Sequence, residues 1–167
     1  MAREMTVYAR EVELPFPLEA AFRNVAGIPG ASLLLSRGGA SDTARYSFAC
    51  AEPFMTIASH NRNITIAEDG AERDLKADPF AALDSLLQRW CAVRPKEMAV
   101  RGEAPPFLCG ATGYFGYDLR TLIEQVPSSG EDDVDTPDMY FAFHDAVLVE
   151  DIHAKKLLIL GVDPVKN

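Results

Sequence analysis

Ser36, Arg45 and Tyr46 carry the side chains of this chain whose types and spacing best suit chemistry. Ser36 closes the apolar run Ser32–Ser36, and Arg45 and Tyr46 open the next run, Arg45–Ala51, with residues 37–44 as the loop between them. If the two runs pair as neighbouring strands, a hydroxyl, a guanidinium and a phenol reach the same end of a sheet. That set offers a hydrogen-bonding group, an anion clamp and a flat stacking wall, suited to an amino acid or an aromatic carboxylate. The chemistry is binding rather than bond making. The alternative is that Arg45 and Tyr46 are solvated amphipathic residues beside a loop.

Other constellations fail on spacing. Gly110, Gly113 and Gly116 run G-x-x-G-x-x-G, whereas a dinucleotide turn needs G-x-G-x-x-G and a P-loop needs G-K-[ST]. Glycines within a strand mark close approach of another backbone, a bend or a bulge, so these three are assigned to packing. Glu131, Asp132, Asp133, Asp135 and Asp138 crowd one segment without the calcium-loop pattern and read as a solvated acidic loop. His60, His144 and His153 lack the i, i+4 spacing of a helical zinc pair. Ser41-Asp42 and His144-Asp145 lack the elbow that would make a serine nucleophile. No metal site and no catalytic residue is expected.

The elements that must hold Ser36 and Arg45 are legible from periodicity. Thr6–Leu14 alternates as a first strand, and Leu18, Ala21, Phe22, Val25 and Ala26 follow Pro17 at helical spacing until Gly27. The run Ser32–Ser36 reads as a strand covered on both faces, and Arg45–Ala51 as its neighbour. Phe54–Ser59 and Ile64–Ala67 make a meander with a further short strand beyond Gly70. Asp78 and Pro79 supply the N-cap and first residue of a helix whose stripe is Phe80, Leu83, Leu86, Leu87 and Trp90.

Arg94–Pro106 reads as a polar surface connection, Phe107–Tyr117 as a buried strand and Leu119–Gln125 as a short helix. Met139–Glu150 and Lys156–Gly161 read as strands joined by a turn at Asp151–Lys155. Many strands linked by short turns, with two or three helices packed outside, predict an α+β domain of antiparallel, sandwich-like sheets.

Composition bounds the partners. The 167 residues hold 16 Lys and Arg against 25 Asp and Glu, a net charge of −9, which argues against nucleic acid. Cys50, Cys91 and Cys109 show neither disulfide nor zinc spacing and read as small buried hydrophobes of a reducing compartment. The N-terminal ten residues lack a signal-peptide core, and no run is long enough to span a membrane. A cytoplasmic protein forming one domain over residues 1–167 is expected, compatible with excision from a longer polypeptide.

The same residues also carry a family resemblance. Ser32–Ser36, Ala44–Phe48 and Ala51-Glu52-Pro53 resemble the L-L-E-S, G-R-Y-S and A-[DE]-P blocks of component I of anthranilate synthase and aminodeoxychorismate (para-aminobenzoate) synthase. Gly110–Leu119 (GATGYFGYDL) resembles G-G-x-x-G-Y-x-G-Y-D-L, with Arg120, Glu124 and Pro127 following. Pro137-Asp138-Met139 and His144-Asp145 with Val147-Leu148-Val149 resemble P-D-M and Y-D-x-x-L-V. The blocks fall in order over nearly the whole chain.

The resemblance implies an N-terminal domain only, without the C-terminal half that binds chorismate and Mg²⁺. No catalytic residue carries over, and this fragment alone is expected to be inactive and without a cofactor. It implies a tryptophan pocket at Ser36, Thr43, Ala44, Arg45 and Tyr46, closed in relatives by the C-terminal half. It also implies a glutamine amidotransferase as partner of the complete enzyme, which makes 4-amino-4-deoxychorismate from chorismate on the way to folate. Leu35 stands where the family motif has Glu, which removes an acceptor for a ligand ammonium and leans toward the para-aminobenzoate branch. Anthranilate synthase component I, or a stand-alone non-catalytic binding module, are the other readings.

Overall fold

The computed structural model describes residues 3–37, 44–90, 93–98, 105–125 and 134–162. Eleven strands form two sheets among these residues. The first sheet uses β1 (Arg3–Val12), β2 (Ser32–Leu34), β3 (Tyr46–Cys50), β7 (Val93–Met98), β10 (Ala146–Asp151) and β11 (Lys156–Val162), in the order β2-β3-β10-β11-β1-β7. The second uses β4 (Met55–His60), β5 (Asn63–Glu68), β6 (Ala71–Lys76), β8 (Gly110–Phe115) and β9 (Met139–His144), in the order β6-β5-β4-β9-β8. Helix α1 (Leu18–Phe22), helix α2 (Pro79–Trp90) and the short α3 (Arg120–Ile123) complete an α+β domain.

Local chemistry explains the elements that stand firmest. The Asp78 carboxylate accepts the backbone N–H of Phe80 and of Ala81 at 3.0 and 3.1 Å, which satisfies two orphan donors at the start of α2. The stripe of α2 buries Leu83 and Leu86 against Met55, Ile57, Ile64, Ile66 and Phe143 of the second sheet. Each such leucine contributes about 2–3 kcal/mol of transfer free energy. The β4–β5 hairpin turns through Asn61, which takes the left-handed φ of 55° that asparagine tolerates.

The structure corrects several sequence expectations. Residues 93–98, all but the first of them within the stretch read as a polar connection, form β7, which runs parallel to β1 at a sheet edge. An edge strand tolerates Pro95 and its charged neighbours because one side of its backbone needs no ladder partner. Helix α1 stops at Phe22, and backbone bonds from Asn24, Val25 and Ile28 to carbonyls three residues earlier continue as tight turns. The amide of Asn24 also bonds the Ala21 carbonyl, competing with helical continuation.

The apolar run Met139–Glu150 is two strands rather than one. It leaves the second sheet at His144 and enters the first at Ala146, so Asp145 is where the chain changes sheets. Strands β2 and β8, expected to be buried, are instead edge strands, with Leu34 50% and Phe115 54% exposed. The side-chain hydroxyls of Ser32 and Thr112 link these two edges at 2.8 Å. Their apolar residues line a slot between the sheets instead of filling a closed core.

Candidate ligand site

The slot has a volume of about 520 Å³, within the range that holds an amino-acid-sized or larger ligand. One wall is Leu34, Leu35 and Ser36 beside Tyr46 and Phe48 of β3, and the other is Phe107, Phe141 and the Ala111–Gly113 segment of β8. Phe48 and Phe107 meet edge to face with ring centroids 5.7 Å apart, and Tyr46 lies 6.3 Å from Phe48. Such contacts make a rigid aromatic surface on which a planar ligand stacks.

The backbone of Gly113 makes this geometry possible. A β-carbon there would stand 2.0 Å from the Tyr140 carbonyl oxygen and 2.7 Å from the Phe141 α-carbon. Gly116 meets the Asp138 carbonyl oxygen in the same way at 2.9 Å, while Gly110 takes a positive φ of 128°. All three glycines lie at or beside β8, against the segment Asp138–His144.

Ser36 and Tyr46, proposed from sequence to share a sheet end, both line the slot. The Ser36 hydroxyl donates to the Tyr46 carbonyl at 2.6 Å, and the Ser36 N–H donates to the buried Ser47 hydroxyl at 3.2 Å. Arg45 sits one residue from the slot wall. Its Nε and Nη2 bond the Asp151 carboxylate at 2.9–3.2 Å, and its guanidinium carbon stacks 4.7 Å above the Tyr46 ring. Ala44 is half-buried, and Thr43 lies outside the described residues, as do Ser41, Asp42, Cys91 and Glu131–Asp133.

Electrostatics around the slot follow from burial and pairing. Burial would raise the Asp151 carboxyl, but the bonds from Arg45 and from the N–H groups of Ala154 and His153 hold it below the usual range. Asp151 therefore ties the β10–β11 turn to Arg45. His144 is buried, with Nε2 3.1 Å from the Thr112 hydroxyl and Nδ1 3.4 Å from the Ala51 carbonyl oxygen. Burial lowers its affinity for a second proton. Burial pushes the Cys50 thiol up to about 11, leaving it an unreactive hydrophobe.

Phe48, Phe107, Thr112 and Phe141 are slot residues that the sequence reading did not single out. Phe48 was accessible, because the period of two on β3 places it on the face of Tyr46. The other three come from the second sheet or its approach, and no local pattern reports that pairing.

A second cavity of about 480 Å³ lies beside the β10–β11 turn and includes Glu13, Phe16, Glu150, Lys155 and Lys156. Lys156 there is already paired with Glu11 at 2.9 Å, and Asp151 on its wall is engaged by Arg45. Among the described residues no three His, Cys, Asp or Glu side chains cluster as a metal ion requires. No helix among the described residues is long and apolar enough to cross a membrane.

Two sheet edges that flank a slot lined by aromatic residues define an α+β domain with a candidate pocket for a small ligand. Comparison with known proteins narrows the class. The chain is 32% identical over 157 residues to anthranilate synthase component 1 of Acetivibrio thermocellus, covering 93% of this chain and 30% of that protein. It is 31% identical over 144 residues to aminodeoxychorismate synthase component 1 of Escherichia coli, covering 86% of this chain and 31% of that protein. A crystal structure of anthranilate synthase component I from Streptococcus pneumoniae superposes with a TM-score of 0.52 at 25% identity, over 72% of this chain and 26% of that one. No family model matches the chain. The chain belongs to the anthranilate synthase and aminodeoxychorismate synthase component I family, and it spans about a third of the length of the curated relatives it matches.

Proposed function

We propose that this chain is the N-terminal, tryptophan-pocket domain of an aminodeoxychorismate synthase component I. The complete polypeptide would use Mg²⁺ and ammonia from a glutamine amidotransferase to convert chorismate to 4-amino-4-deoxychorismate. The slot would hold tryptophan, with its ring packed against the Phe48–Phe107 pair and its polar end near Ser36. The chorismate-binding and bond-making groups belong to the region this chain does not include, so the 167 residues alone have no turnover.

The observation that carries the branch assignment is Leu35. It lines the slot beside Ser36, where the family motif has Glu, so the wall lacks the carboxylate that would take up a ligand ammonium. A pocket without that acceptor suits tryptophan as a packing element better than tryptophan as a feedback signal. The 32% identity to an anthranilate synthase component supports the tryptophan-biosynthetic branch as the second reading.

Complementation separates the two. The full-length gene, placed in strains lacking one activity or the other, should restore growth without para-aminobenzoate and leave the tryptophan requirement intact. Rescue of the tryptophan requirement alone would assign the other branch.

A further inference from the structure

The slot carries two small hydroxyls whose protons are already spent. Ser36 Oγ donates to the Tyr46 carbonyl, so toward a ligand it offers lone pairs. For Thr112 the count runs through His144. The Ala51 carbonyl only accepts, so the ring nitrogen facing it, Nδ1, carries the hydrogen. The buried neutral ring then has its lone pair on Nε2, and the Thr112 hydroxyl must donate to it. Thr112 has one proton, so Ser32, 2.8 Å away, donates to Thr112. One lone pair of Thr112 Oγ1 stays uncommitted among the described residues, and Thr112 lines the slot.

Two acceptors, Ser36 and Thr112, in one slot with aromatic walls suit a ligand that carries one N–H donor on a flat ring and another on its side chain. A phenol oxygen, a ring sulfur or a bare hydrocarbon edge offers Thr112 no such match. An acceptor left facing an apolar edge loses a hydrogen bond that water would have supplied.

We infer that Thr112 is a specificity-determining residue of the slot, accepting a hydrogen bond from a ring N–H of the bound aromatic amino acid. This rests on the reading of the slot as an amino-acid site, and the test separates the two claims. L-tryptophan and its sulfur isostere, 3-benzothienyl-L-alanine, are titrated into the 167-residue chain by calorimetry. The isostere keeps size and shape and removes only the ring N–H.

The wild-type chain should prefer tryptophan by about tenfold, the worth of one neutral hydrogen bond. Thr112→Val should reduce that preference to less than about twofold, and Thr112→Ser, which keeps the hydroxyl, should retain it. Equal affinity of the wild type for the two ligands overturns the role of Thr112 while leaving the slot in place, and needs no variant that folds. A tenfold preference surviving in Thr112→Val also overturns it. Binding of neither ligand to the wild type overturns the amino-acid site itself, and this inference with it.

Discussion

Arg45 and Asp151, far apart in the chain, meet through two guanidinium nitrogens at 2.9–3.2 Å. Asp151 is largely buried and also accepts the N–H groups of His153 and Ala154. One carboxylate therefore holds the entry to β3, the end of β10 and the turn into β11. Asp151→Ala should cost about 1–3 kcal/mol in urea denaturation, discounted for the partial exposure of Arg45. The Asp151 carboxyl is depressed in the folded state, so its contribution is full above its unfolded value and fades as pH falls through the folded one. The stability difference between wild type and variant should narrow on acidification.

His144 gives a second pH prediction with the same sign. Burial lowers its pKa from the ordinary 6.5, against the smaller opposing effects of the Ala51 carbonyl and Asp145. A neutral buried ring stabilises the fold above the unfolded value, and that contribution is lost as pH falls through the folded one. The ring resonances of His144 in NMR should titrate below those of a free histidine. Titration at or above the free value would show that the ring is not held neutral.

The glycines of β8 and its surroundings differ in what a side chain would meet. Gly113→Ala places a methyl 2.0 Å from the Tyr140 carbonyl oxygen, so the β8–β9 ladder must shift. A loss of about 1–3 kcal/mol or more is expected, as for overpacked cores. Gly27→Ala, with no atom within 4 Å of the added carbon, should change stability by under about 1 kcal/mol. Equal effects of the two in thermal melts would contradict the close approach.

Leu35 predicts a gain of affinity. Leu35→Glu returns a carboxylate to an exposed point of the slot wall, within the family motif, and should tighten L-tryptophan binding by about tenfold. Unchanged affinity in calorimetry would remove Leu35 from contact with the ligand's ammonium.

How far the sequence reached depended on how local each signal was. Asp78-Pro79 and its leucine stripe predicted α2 because cap, first turn and buried face all lie within a dozen residues. Ser36 and Tyr46 could be placed together because β2 and β3 pair across a single loop. Strand β7 was missed because its pairing to β1 is parallel and distant, and Val93–Met98 shows neither alternation nor an apolar run. The break at Asp145 was hidden because both halves of Met139–Glu150 are apolar, though they serve different sheets. Thr112 looked like an incidental residue between glycines. Its partners, Ser32 and His144, lie 80 and 32 residues away and only the fold assembles them.

The claim on which the account turns is that an aromatic amino acid occupies the space between the two sheet edges. Intermolecular NOEs on the chain saturated with L-tryptophan measure this directly. Cross-peaks from indole protons to the rings of Phe48 and Phe107 and to the methyls of Leu35 are predicted. Cross-peaks confined to Leu14, Phe16 and Leu157 around the other cavity, or none at saturation, would contradict it.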